Sequence, residues 1–150
     1  MKGWLLDTNV VTELGRRRRD PKVAAWAADL SDHTLYISVL TLGEYDKGIH
    51  NLARGSPVRA RIEAAVAAIE LDFARRTLSV TDAIVRRWGR LSGEIQHTTG
   101  KAPPVIDSLL AATAIEHDLC LVTRNVRDVR ETGAALFNPW TDDPRSIMIA

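Results

Sequence analysis

The chain has 150 residues, 45% of them hydrophobic, enough to bury one core and short for two independent domains. Twenty basic residues against nineteen acidic ones leave a net charge of +1, which argues neither for nor against a polyanionic partner. The single cysteine, Cys120, excludes an internal disulfide, and no apolar run reaches the ~18 residues of a membrane span.

Taken in chain order, short apolar runs alternate with longer segments of helical period, the pattern of an α/β domain with a mainly parallel sheet. Strands are expected at Gly3–Asp7, Leu35–Leu40, Thr77–Val80, Leu119–Thr123 and Ala135–Asn138. The first run meets Asp7 too early for a secretory signal. A helix over Pro21–Leu30 starts on proline, and another over Thr41–Ala53 opens with a threonine suited to capping. Ser56–Phe73 repeats apolar residues at Ile62, Val66 and Ile69. Thr81–Thr98 places Ile84, Trp88, Leu91 and Ile95 three or four apart on one face. Val105–Asp118 is apolar almost all round, which implies burial. The run Gly15 to Asp20 and the segment Thr98 to Pro104 read as loops, and residues 141–150 as a loose tail after a folded unit spanning residues 1–140. A soluble, cytoplasmic protein is expected.

In an open parallel sheet, ligands bind beyond the carboxyl ends of the strands. Acidic or amide side chains fall there three times: Asp7 after Trp4-Leu5-Leu6, Glu44 shortly after Leu40, and Asn125 with Asp128 after Leu121-Val122-Thr123-Arg124. Asp107 lies in the first turn of the apolar helix. Each has a local explanation. Thr41-x-x-Glu44 matches a capping box, Asn125-x-x-Asp128 can cap the next helix, and Asp107 gains from its helix dipole. None of these accounts for the gathering of carboxylates at one end of the sheet. Such a group repels itself unless a cation lies between its members, and oxygen-only ligands select Mg²⁺ or Mn²⁺ over zinc.

Other chemistries find little support. His33, His50, His97 and His117 fall at none of the expected strand exits, and there is neither a nucleophile elbow nor a glycine-rich phosphate loop. The basic residues are 16 arginines and 4 lysines. Arginine makes bidentate contacts with phosphate and carboxylate, so the run Arg16, Arg17, Arg18, Arg19, with Arg124, reads either as a solvated charge run or as a surface for RNA or an acidic partner.

Four stretches resemble the PIN-domain toxins of the VapC type, and most closely their FitB-like branch: Leu5-Leu6-Asp7-Thr8-Asn9-Val10-Val11-Thr12-Glu13, Thr41-Leu42-Gly43-Glu44-Tyr45-Asp46-Lys47-Gly48, Asp107-Ser108-Leu109-Leu110-Ala111-Ala112-Thr113-Ala114, and Leu121-Val122-Thr123-Arg124-Asn125. Phe137-Asn138-Pro139-Trp140 fits the same branch. The resemblance implies a three-layer PIN sandwich and Mg²⁺- or Mn²⁺-dependent endonucleolytic cleavage of RNA. It also implies a homodimer, with a higher toxin–antitoxin assembly open, and a cognate antitoxin. Asp7, Glu44 and Asp107 match the family's core acids, with Asp7 and Asp107 as the implied metal ligands and Thr8, Asn9 and Thr123 as supporting polar groups. Where the pattern often has Asp after Thr-Arg, this sequence has Asn125, leaving Asn125 or Asp128 for the fourth place. Two other readings stay open. One is a catalytically weakened scaffold that binds RNA or a protein. The other is a haloacid-dehalogenase-like phosphatase, for which Asn9 stands where a second Asp is wanted.

Overall fold

Strand β1 (Trp4–Leu6) lies at the centre of the sheet because every one of its side chains is buried, as the unbroken apolar run Trp4-Leu5-Leu6 demands of a strand covered on both faces. In this computed structural model, which describes residues 1–147, β1 is flanked on one side by β2 (Leu35–Ser38) and β3 (Thr77–Leu78) and on the other by β4 (Cys120–Val122) and β5 (Leu136–Phe137). The sheet order is β3-β2-β1-β4-β5. All pairings are parallel, with Trp4 opposite both Leu35 and Cys120 and Leu6 opposite Val122. The chain adds strands outward on one side of β1, then crosses to the other. The switch therefore falls beside β1, where the ends of β1 and β4 open a crevice.

Alternation along the strands divides the core. Trp4, Leu6, Ile37, Cys120, Val122 and Phe137 pack on one face with Trp26, and the three rings of Trp4, Trp26 and Phe137 meet at centroid distances of 5.4 to 5.5 Å. Leu5 and Leu121 point to the other face, against the small-residue side of α6 (Val105–His117) formed by Leu110, Ala111 and Ala114. Helix α5 (Asp82–Thr99) packs on α6, burying Ile84 and half-burying Trp88, Leu91 and Ile95. Because α6 runs back across the sheet before β4, its N-terminus sits at the carboxyl end of the strands. Cys120 is buried, as a lone thiol in an apolar strand should be.

Three local features depart from the sequence expectations. Residues Thr8–Leu14 form a helix, α1, with Asp7 as its N-cap, whereas the pattern assigned no element there; the helix starts with no intervening loop. Helix α3 (Val39–His50) begins two residues earlier than expected, because the Ser38 side chain accepts a hydrogen bond from the Leu40 N–H. Thr41 is consequently inside the helix and fully buried. The segment expected as a loose tail opens with a hydrogen-bonded turn in which Asp142 accepts from the Asn138 N–H. A 3-10 turn over Pro144–Ser146 follows, and Ile147 packs on the aromatic core; the last three positions of that expected tail lie outside the described residues. Helices α2 (Pro21–Ala28), α4 (Pro57–Asp72) and the short α7 (Val126–Val129) complete the layers. No helix among the described residues is long and apolar enough to cross a membrane.

Candidate active site

At the carboxyl end of β1 the chain places a carboxylate where burial ought to exclude one. Asp7 is only 5% exposed, and three donors hold it. Its Oδ1 accepts from the Thr8 N–H at 2.7 Å, and its Oδ2 accepts from the Thr123 hydroxyl at 2.7 Å and the Asn9 amide at 3.1 Å. Thr123 arrives from β4, so one hydrogen bond ties together the two strands that flank the crevice. Those donors favour the ionised form, yet desolvation outweighs them and the Asp7 pKa is raised.

From β2 and α3 comes Glu44, whose Oε1 accepts from the Thr8 hydroxyl at 2.7 Å, with the Thr41 hydroxyl 3.1 Å from that of Thr8. The earlier start of α3 overturns the capping-box explanation of Glu44: with Ser38 as the cap, Glu44 lies in the second turn and makes no return bond. Asp107, in the first turn of α6, completes the group. Burial pushes its carboxyl up to about 6, with further contributions from the negative charges of Asp7, Asp128 and Glu44. The three acids thus add like charge to a carboxyl that burial already disfavours in its ionised form.

Asp7, Glu44, Asp107 and Asn125 line a single cleft of about 350 Å³, together with Thr8, Asn9, Arg16, Arg124 and Trp140. Asn125 therefore faces the crevice; its N–H donates to the Thr123 hydroxyl, and its side chain does not cap α7. Asp128 is exposed and lies off the cleft, felt there through its charge. Of the arginine run, Arg16 reaches the cleft and pairs with the buried Glu13 at 2.9 Å, while Arg17, Arg18 and Arg19 are exposed and do not line it. Arg124 does line it, stacked over Trp140.

None of the four acids is ion-paired among the described residues, so their mutual repulsion is not answered by the protein. The donors that Asp7, Glu44, Asp107 and Asn125 bring to the cleft are oxygens, the chemistry that suits a hard divalent ion. Among the described residues, no three His, Cys, Asp or Glu side chains already stand close enough to hold an ion jointly. Joint ligation thus calls for side-chain rotation, which the exposed Glu44 and half-buried Asp107 permit and the pinned Asp7 does not.

Sequence reasoning passed over Thr41, Tyr45, Glu13 and Trp140. Tyr45 hydrogen-bonds Thr12 at 2.9 Å, and Glu13 accepts from the Asp20 N–H as well as Arg16. A signal was present for Glu13, since a carboxylate one turn after Thr8-Asn9 shares their helix face once α1 is recognised. A larger cleft, about 770 Å³, lies between α2 and the turn after β5, beside Trp26 and Pro139. Its acids are surface groups such as Asp143, already paired with Arg145 at 2.6 Å, and it gathers no strand-end polar set.

Comparison with known proteins agrees with this geometry. The PIN domain model matches residues 4–134. The chain belongs to the PIN-domain family. Toxin FitB of Neisseria gonorrhoeae is 31% identical over 92% of this chain and 99% of its own length. VapC ribonuclease Y4jK of Sinorhizobium fredii is 30% identical over 91% of this chain and 96% of its own. Among solved structures, FitAB bound to a DNA fragment superposes with a TM-score of 0.81 at 29% identity, covering 93% of this chain and 97% of that one. The FitAcB complex from Neisseria gonorrhoeae gives 0.79 at 31% identity, covering 91% and 98%. The expected five-stranded α/β sandwich is thus the observed one.

Proposed function

We propose that this PIN-domain protein is the toxin of a toxin–antitoxin pair and an endoribonuclease that uses Mg²⁺ or Mn²⁺ to cleave RNA by hydrolysis. The observation that carries the reading is the cleft itself: a buried, triply hydrogen-bonded Asp7 facing Asp107 and Glu44 with no protein cation on any of them. Relatives named as a toxin and a ribonuclease, alike over nearly their whole lengths, support it.

Asp7 and Asp107 would hold the ion, with Asn125 as a neutral oxygen donor beside them and Asp128 adding charge from outside the cleft. A divalent ion bound there supplies positive charge that polarises the scissile phosphate and acidifies a water molecule. Thr123 and Asn9 fix the rotamer of Asp7, so that carboxylate is ordered in advance, while Glu44 and Asp107 keep the freedom to turn toward it. Glu44, exposed and acceptor-rich, receives the proton of the attacking water. Water oxygen bonds to phosphorus, the P–O3′ bond breaks, the 3′ oxygen takes up a proton, and the products are a 5′-phosphate and a 3′-hydroxyl. The partners of the reading are RNA as substrate, a cognate antitoxin, and a second copy of the chain in a homodimer, all in the cytoplasm.

Asn125 favours one rival, a PIN scaffold that binds RNA without cutting it. Incubating a mixed RNA with the protein in Mg²⁺, Mn²⁺ or EDTA separates the two. Cleavage with metal and none in EDTA is the expected result, and RNA binding without cleavage under all three conditions sinks the nuclease.

A further inference from the structure

Arg16 and Arg124 are the two arginines that line the acidic cleft, and both are engaged by something other than the proposed metal ligands. This is unexpected on electrostatic grounds. A guanidinium free to swing beside three unpaired carboxylates is drawn onto them, since charge-assisted, bidentate contacts of that kind are among the strongest polar interactions in proteins. Arg16 is held back by Glu13. Arg124 has no ion pair among the described residues; its guanidinium lies 5.0 Å from the centre of the Trp140 ring.

Both members of that stack are fixed at the backbone. The Trp140 N–H donates to Asn138 Oδ1 at 3.0 Å. The Arg124 N–H donates to Asn9 Oδ1 at 3.3 Å, and the residue before it bonds Asp7. The backbone of Arg124 is thus anchored beside Asp7, and the contact that places its guanidinium is the Trp140 ring. A guanidinium lying on an indole face keeps its N–H edge free for an anion. We propose that Trp140 is a positioning residue that holds Arg124 off Asp7, Glu44 and Asp107 and presents it to the phosphate of the nucleotide next to the scissile bond.

The proposal rests on the ribonuclease reading above, and it ties two properties to one ring. Losing the indole releases Arg124 onto the carboxylates, which weakens cation binding, and at the same time withdraws it from RNA. Removing Arg124 as well restores the carboxylates to the cation but leaves RNA binding weak. A ring that served packing alone would not produce that recovery.

The test uses the full chain and four variants: Trp140→Leu, Trp140→Phe, Arg124→Ala and the Trp140→Leu/Arg124→Ala double. Mn²⁺ binding is measured by calorimetry without RNA. Binding of a labelled RNA oligonucleotide is measured in EDTA over a range of salt. Arg124→Ala is expected to weaken RNA binding about tenfold and to reduce its salt slope by about 1. Trp140→Leu is expected to weaken Mn²⁺ and RNA binding about fivefold each, Trp140→Phe to retain most of both, and the double variant to regain wild-type Mn²⁺ affinity only. Wild-type behaviour of Trp140→Leu, or a double variant no better than Trp140→Leu at binding Mn²⁺, overturns the role. Should Trp140→Leu fail to fold, an Arg124→Ala chain with unaltered RNA affinity and salt slope overturns it instead. A wild-type chain that binds both RNA and Mn²⁺ without cutting ends the nuclease reading and leaves these comparisons decisive for Trp140. One that binds neither ends both proposals.

Discussion

Leu6 and Asp7 are neighbours on the chain and almost equally buried, yet they belong to regions built on opposite rules. Around Leu6, the rings of Trp4, Trp26 and Phe137 fit edge to face and tilted against one another, so contacts there reinforce burial. Around Asp7, burial and like charge both work against the ionised carboxylates, as the raised pKa values of Asp7 and Asp107 record. The difference teaches that stability resides in the sheet's interior, while its rim keeps carboxylates in an arrangement that burial and like charge disfavour.

The sharpest way to separate the regions is to damage each in turn. Asp7→Asn keeps an oxygen for the Thr8 N–H and removes a charge that burial disfavours, which offsets the loss of the acceptor for Thr123 and Asn9. The variant should therefore stay folded to within about 1 kcal/mol of the parent while RNA cleavage falls at least about 10²-fold. Initial rates at matched folded concentration decide it, and undiminished metal-dependent cleavage breaks the assignment. Phe137→Ala does the reverse. Loss of a fully buried ring at the centre of the aromatic cluster should cost about 3–5 kcal/mol in urea unfolding with unchanged cleavage per folded molecule.

A subtler consequence concerns pH. Folded and metal-free, Asp107 titrates near 6, against 3.8 for the ordinary carboxyl. Between those values the unfolded chain releases its proton first, so stability falls as pH rises through that window and levels off above it. Asp107→Asn removes the loss and should raise the melting temperature in EDTA at pH 7 by about 3 °C. The gain should vanish below pH 4, and a lower melting temperature at pH 7 contradicts the account. The smallest effect is expected from replacing Arg17, Arg18 and Arg19 together by Ala. These exposed side chains lie off the cleft and are screened at physiological salt, so RNA affinity should change less than with Arg124→Ala alone.

Much of the architecture was legible in the sequence because burial on both faces leaves a direct mark: the continuous runs Trp4-Leu5-Leu6 and Cys120-Leu121-Val122 can only be central strands. Helix α1 left no such mark, since its seven residues are too few to display a period and its cap is the strand's own exit residue. The start of α3 was misplaced because Thr41 with Glu44 three positions on reads as a capping box, while Ser38, also a competent cap, lay inside the expected strand. The fold selects Ser38 and buries Thr41. At the site, each of Asp7, Glu44 and Asp107 had a local explanation in the sequence, but none explained why acids should gather at one end of the sheet, and the fold brings the three to one cleft. Trp140 was not, because its meaning lies in a stack with Arg124 that follows from the sheet order and not from spacing along the chain.

The hydrogen bond between Thr123 and Asp7 joins positions 116 apart, because the central strand β1 pairs with β4, which is made much later. A polypeptide emerging from the ribosome therefore presents its first carboxylate long before the hydroxyl that orients it. Fragments that stop short of Thr123 lack the donor that orients Asp7, so the crevice is assembled only once β4 has emerged and docked beside β1. For a toxin, this delays the onset of danger until distant parts of the chain have met.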